Sequence, residues 1–305
     1  MTQWDERLDL FHGDASANRA TIYARLRDVP AGEGYQLSGY LRGPHSLYSN
    51  TLPSTIRFLD AGPGETVLSK ALLPDPCYWT PELPFLYDVH LEVRRGEETV
   101  ATLDRTLGIR NFGPRGKFFY QDGKRWVMRG AFRAPAMTFD LRDWHQAPLT
   151  LVESCPADEI CDEASRVGVM ILAVLQHDRH DFEREMPRLA RHAAVAIVAL
   201  DVGTPGVPLP TGLSQLAPNL LVARFAKVHH HAFRPVEASS ETSALLGIMK
   251  QPDTFARLVE SQTVPVIAYR SLSDTDRARP HVAREKCDRL QAELAPFGDF
   301  AGYIV

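Results

Sequence analysis

Several things are scarce in this chain of 305 residues. No apolar run approaches the roughly 18–20 residues needed to span a bilayer. The longest, such as "AVAIVAL", stop at strand length. Cysteine is sparse: Cys77, Cys155, Cys161 and Cys287 are scattered, with no C-x-x-C pair. That argues against a disulfide framework or zinc knuckle and for reduced thiols filling core gaps. Positive charge is not in surplus either, with 34 Lys and Arg against 38 Asp and Glu and a net charge of −4. Such a chain has nothing to spare for phosphates, which excludes nucleic acid as the expected partner. The start, "MTQWDERLDLFHGD", lacks the basic and apolar segments of a signal peptide, so a cytoplasmic protein with no membrane partner is expected. The glycine turns "GEG" and "GPRGKFF" do not sit between a strand and a helix, so they are not phosphate loops. No cofactor is expected.

Present instead is an ordinary soluble composition, 44% hydrophobic and 24% charged, in a length suited to about two domains of roughly 150 residues. From 20 to about 110 the text reads as strand and turn. "ATIYARLR", "YQLSGYLR", "STIRFLD", "FLYDVHLEVRR" and "ETVATLDRTL" are β-rich and separated by Gly/Pro clusters. In "FLYDVHLEV", Tyr87, Val89, Leu91 and Val93 alternate with Asp88, His90 and Glu92, the period of a sheet with one wet face. The reading is an immunoglobulin-like β-sandwich over 1–112.

After residue 115 strands alternate with helices. "RWVMRGAF", "LTLVES", "VMILAVL", "AAVAIVAL", "NLLVARF", a weak segment around "FRPVEAS", "VPVIAYR" and "FAGYIV" are the candidate strands. "PADEICDEASRVG", "DFEREMPRLARH", "QPDTFARLVES" and "VAREKCDRLQAEL" are the candidate helices. Pro156 suits the first turn of the first helix and Gly168 its C-terminal cap. Eight continuously apolar strands match a (β/α)8 TIM-type barrel over 113–305, compact and with its closure left open by the short length. An open doubly wound sheet is the alternative.

Three segments, in order, resemble family 2 glycoside hydrolases, the group of β-galactosidases, β-glucuronidases and β-mannosidases. "YWTPELPFLYDVHLEV" with "LGIRNF" carries Trp79, Pro81, Glu82, Pro84, Leu86, Tyr87, Gly108 and Arg110 in the family's pattern. "GKFFYQDGKRWVMRGAFR" resembles its first barrel strand through Gly123, Lys124, Arg129, Gly130 and Arg133. "PADEICDEASRVGVMILAV" resembles its helix two and strand three. The resemblance implies the same sandwich-then-barrel fold and a sugar site at the barrel mouth.

The chemistry departs from the pattern. A retaining glycosidase needs two carboxyl groups about 5–5.5 Å apart. The resemblance places the acid/base after strand four, where "HAAVAIVALDVG" puts Gly203, and the nucleophile after strand seven, where "VPVIAYRSL" puts Arg270. Glycine has no proton to donate, and a guanidinium is not a nucleophile. Asp201 lies two residues early, on the same side of the strand but about 6.5 Å deeper. The family's further N-terminal jelly-roll domain is also missing from the match.

Other polar groups at predicted strand ends are Arg133, Glu153, His177, Asp178, His180, His229, His230, His231 and Glu237. Histidines 177, 180 and 229–231 with Asp178 and Glu237 could hold a metal, although no helical H-x-x-x-H spacing supports it. Asp201 and Glu237 could form a substitute carboxylate pair. Arg133 and Arg270 could make a pocket for an anionic small molecule, or each could pair with Glu153, Asp201 or Glu237. The expectation is a family-2-like protein that has lost retaining glycosidase catalysis, with no catalytic residue. It would bind a saccharide or polar ligand through Arg133, Glu153, His177, Asp178, Asp201, Glu237 and Arg270, or act as an interaction scaffold for a protein partner. The alternative is an active hydrolase using Asp201 and Glu237 or a histidine-containing metal site.

Overall fold

The computed structural model describes residues 3–133, 140–202, 209–227, 242–248 and 262–305. It divides into two compact units, Met1–Arg110 with Arg191–Ala193, and Asn111–Ala190 with Ala194–Val305.

The first unit begins with a short helix α1 (Gln3–Arg7) and carries seven strands: β1 (Leu8–Ser16), β2 (Arg19–Leu26), β3 (Tyr35–His45), β4 (Ser54–Asp60), β5 (Leu68–Pro74), β6 (Leu86–Arg95) and β7 (Glu98–Leu107). They form one continuous antiparallel sheet in the order β1-β2-β5-β4-β3-β6-β7. Its two halves make the layers of the sandwich. β4 joins them, pairing along Ser54–Phe58 with β3 and at Leu59 and Asp60 with β5. The alternation read from the sequence holds: Tyr87, Val89, Leu91 and Val93 are buried with Ile22, Leu37, Leu41 and Leu103 in a single core. Two strands of this sheet, β1 and β5, are not among the candidate strands read from the sequence, the first of which began at residue 20.

The match segments serve this core. The Trp79 side chain is buried, and the Trp79 backbone N–H donates to the Ile109 carbonyl at 2.7 Å. The Tyr87 hydroxyl accepts from the Cys77 N–H at 2.9 Å. Arg110 is buried, and its guanidinium donates to the carbonyls of His192 and Ala193 within this unit.

The second unit opens with a three-stranded sheet, β8 (Phe112–Arg115), β9 (Phe118–Gln121) and β10 (Lys124–Trp126). Then come the barrel strands β11 (Met128–Phe132), β12 (Thr150–Ser154), β13 (Ile171–Gln176), β14 (Val195–Asp201), β15 (Leu221–Lys227), β16 (Ala244–Ile248), β17 (Val266–Tyr269) and β18 (Gly302–Ile304). All pair in parallel, and β18 returns to β11, so the barrel is closed. Its sixth strand is "ALLGI" rather than "FRPVEAS", which lies outside the described residues, as does "QPDTFARLVES".

Helices described around the barrel are α2 (Leu141–Gln146), α3 (Asp158–Val167), α4 (Phe182–Ala190), α5 (Leu213–Leu216), α6 (Asp274–Arg277) and α7 (Pro280–Leu294). Gly168 caps α3 in the left-handed conformation, φ 79°, as its position suggested. Pro156 stands before the N-cap Ala157 rather than in the first turn. On α7, Ala283, Cys287, Leu290 and Leu294 are buried on one face. No described helix is long and apolar enough to cross a membrane.

Candidate site at the barrel mouth

Strand register decides which side chains can meet at the C-terminal mouth. Neighbours in a parallel sheet share a face, and faces alternate along each strand. A Cβ on Gly130 would meet Ile304 and Val152, and one on Gly302 would meet Met128 and Ile267, so these six share one face. Arg129, on the other face of β11, bonds Asp288 and Gln291 of α7, so the shared face is the barrel interior. From the six the pairing carries the interior row through Leu172 and Ile197 on β13 and β14. It then runs through Ala199, Ala223 and Leu246 to Ile267.

One step nearer the mouth, the same rule puts Phe132, Ser154, Gln176, Asp201, Phe225 and Tyr269 on the interior face. Ring contacts agree. Phe132 and Tyr269 have centroids 5.0 Å apart, and Phe225 meets Tyr269 edge-on at 6.3 Å. Since β15 and β17 are separated by β16, that second contact is made through the interior. The Arg277 guanidinium lies 5.8 Å from the Phe132 ring centroid and donates to Ser271 Oγ at 2.8 Å. The mouth is therefore divided. An aromatic arc runs from β15 through β17 to β11, and a polar arc of Ser154, Gln176 and Asp201 covers β12 to β14.

The residues singled out from sequence scatter around this arrangement. Arg133 makes a two-pronged ion pair with Glu153, Nε–Oε2 2.6 Å and Nη2–Oε1 2.9 Å, and that hydrogen bond holds its guanidinium above the usual arginine range. Glu153 belongs by register to the face opposite Val152 and Ser154. Arg270 pairs with Glu293 of α7 at 2.6 Å, and alternation puts it on the face opposite Tyr269. The two arginines thus have separate carboxylate partners and do not make a joint cationic pocket. The His177 ring packs edge-on against Phe182 at 5.8 Å, while the His177 backbone N–H donates to the Asp201 backbone carbonyl at 3.0 Å. Asp178 is exposed. His180 Nδ1 accepts the Gln176 N–H at 2.9 Å, so it closes a turn.

Among the described members of the proposed set only Asp201 is on the interior row, half-buried. Gly203, His229, His230, His231 and Glu237 lie outside the described residues. Among the described residues no three His, Cys, Asp or Glu side chains cluster as metal ligands would.

A polar cluster beside β12 went unread in the sequence. Arg188 of α4 donates to Glu185 at 2.6 Å, to Asp158 at 2.5 Å and to the Pro156 carbonyl at 3.0 Å. Burial opposes its charge, but Asp158 and Glu185 hold it well above the usual range. The Cys155 thiol donates to Glu185 at 3.4 Å, and burial followed by that carboxylate pushes it up. A thiol so held stays protonated and is a poor nucleophile. The sequence signal for this cluster was only the i,i+3 pair Glu185 and Arg188, which is common on any helix.

Residues 14–110 match the family model described as Glycosyl hydrolases family 2. No curated protein matches the chain. Among solved structures, a calcium-binding mutant of Bacteroides uniformis β-glucuronidase 2 aligns with TM-score 0.62 and 15% identity, covering 98% of this chain and 45% of that one. A glycosyl hydrolase family 2 member from Bacteroides cellulosilyticus aligns with TM-score 0.62 and 14% identity, covering 98% and 43%. The β-D-glucuronidase of Dictyoglomus thermophilum aligns with TM-score 0.58 and 12% identity, covering 97% and 61%. The chain spans about half the length of these neighbours. The chain is thus similar in sequence to family 2 glycosyl hydrolases over residues 14–110, and it shares the fold of these solved structures over nearly its whole length.

Proposed function

We propose that this chain has lost retaining glycosidase catalysis and keeps the barrel mouth as a binding surface for a saccharide or similar polar ligand. The observation that carries the reading is the interior row. Among the described residues Asp201 is its one carboxylate, whereas retention of configuration needs two about 5–5.5 Å apart. The position matched to the nucleophile, Arg270, carries a cation bound to Glu293.

The divided lining supports a saccharide. A pyranose ring has an apolar face that stacks on aromatic side chains and a rim of hydroxyls that need acceptors and donors. The aromatic arc of Phe132, Tyr269 and Phe225 and the polar arc of Ser154, Gln176 and Asp201 offer both. An anionic ligand is less well served, because Arg133 and Arg270 are already neutralised.

The test is a panel of aryl β-glucuronides, β-galactosides and β-mannosides with the full chain, its Asp201→Asn variant and its Glu237→Gln variant. The expected result is no turnover by any of the three, with saccharide binding by calorimetry weakened in Asp201→Asn. Turnover abolished by either substitution would overturn the reading and favour relocated carboxylates.

A further inference from the structure

The outer face of the layer β4-β3-β6-β7 is polarised by strand. Arg57 of β4 and Arg42 of β3 are exposed on it, and among the described residues neither has an ion-pair partner. Across the layer, β6 and β7 contribute Asp88, Glu92 and Asp104 to the same face, with Arg94 at the far end of β6 opposite Gln36. The seam between the two halves is aromatic. Tyr40 stacks on His90 with centroids 5.2 Å apart, and His90 Nδ1 is 2.7 Å from Asp104. Tyr40 is 41% exposed and Leu59, diagonal to it on β4, is 64% exposed. The loop between β3 and β4 adds Leu47, Tyr48 and Leu52, the last 94% exposed.

We propose that this face binds a second copy of the same chain about a two-fold axis near Tyr40. A two-fold contact lays a patch on itself, and with the axis lying in the face along the seam between β3 and β6 the basic half of one copy meets the acidic half of the other. The layer has that pattern: positive on β4 and β3, net negative on β6 and β7, with the Tyr40–His90 stack at the centre. An acidic or basic foreign partner would match only one half and face like charge across the other.

Size sets the strength. Four strands about 4.8 Å apart and roughly 30 Å long present on the order of 500 Å², short of the ~800 Å² per partner of a standard stable interface. The contact is therefore a weak, salt-sensitive dimer whose long-range attraction falls as ions screen it.

Sedimentation velocity on the full chain, from micromolar to several hundred micromolar protein at low salt, tests this. The expected result is a concentration-dependent dimer that weakens at high salt. Arg57→Glu and Asp104→Arg should each weaken it at least tenfold, and the double variant should recover most of the loss, because reversing both halves restores complementarity. Circular dichroism melts check that each variant folds. A monomer throughout the range overturns the proposal. So does a dimer indifferent to both single reversals, or a double variant no stronger than either single one.

Discussion

The Arg270 guanidinium lies 2.6 Å from the Glu293 carboxylate of α7, one residue beyond Tyr269, whose ring packs against Phe132 inside the barrel. Adjacent residues at the end of one strand thus serve opposite faces. A glutamate written in at position 270 would inherit the outer face and meet Glu293. Arg270→Glu is expected to create no glycosidase activity and to lower stability by at most about 1 kcal/mol, since exposed pairs contribute little. Urea unfolding and an aryl glycoside assay check both parts. Measurable turnover from this single substitution would show that the face assignment is wrong.

The aromatic arc is a packing unit as well as a lining. Tyr269→Ala removes the ring shared by Phe132 and Phe225 and is expected to cost about 2–4 kcal/mol. Phe132→Ala should cost a similar amount. The double substitution should fall short of the sum by about 0.5–1.5 kcal/mol, because the two rings touch. Strict additivity in denaturant midpoints would mean that the rings do not depend on each other.

Gly108 is fixed by packing rather than by backbone freedom. A Cβ there would overlap Ala193 Cβ and lie 3.2 Å from Trp79 Cβ and Cδ1. Both neighbours are buried, and Trp79 is held by its bond to Ile109. Gly108→Ala should therefore destabilise by about 1–3 kcal/mol through overpacking, read as a lowered thermal midpoint. An unchanged midpoint would mean that the loop at Ala193 gives way freely.

How much of this was legible follows from what a linear pattern encodes. "FLYDVHLEV" announced its strand because alternation and burial coincide at every position. β1 was passed over because "LDLFHGDAS" breaks its alternation with His12 and Gly13, and the strand has a register shift between His12 and Ala15. β5, "LSKALLP", spaces Leu68, Ala71 and Leu72 as a helix would, although Ser69, Ala71 and Leu73 are the residues that face the core. β16 hid in the same way, its "ALL" reading as helix and its Gly247 as a break. At the mouth, matching motif positions told which residue stands where but not which face it takes. Arg270 and Tyr269 exchange importance once register is known. Arg133 with Glu153 was one of the pairings left open, and the structure selects it over a shared pocket.

His12 gives the sandwich a pH dependence whose sign can be worked out. It sits opposite Ile22 on the core side of β1, and solvent does not reach its Nδ1. Burial first, then the nearby Arg110 charge, lowers its pKa to about 4. The unfolded chain binds the proton near pH 6.5, whereas the folded chain refuses it until about pH 4. Stability from this group is therefore complete above about pH 6.5, falls as pH drops towards 4, and changes no further below that. The whole loss is up to about 3 kcal/mol. An NMR titration of His12 should show its midpoint near 4. In urea unfolding, His12→Gln should flatten the fall in stability between pH 6.5 and 4 relative to the unaltered chain. A His12 midpoint near that of a free imidazole, with equal slopes for the two proteins, would mean that the ring is not held against the Arg110 charge.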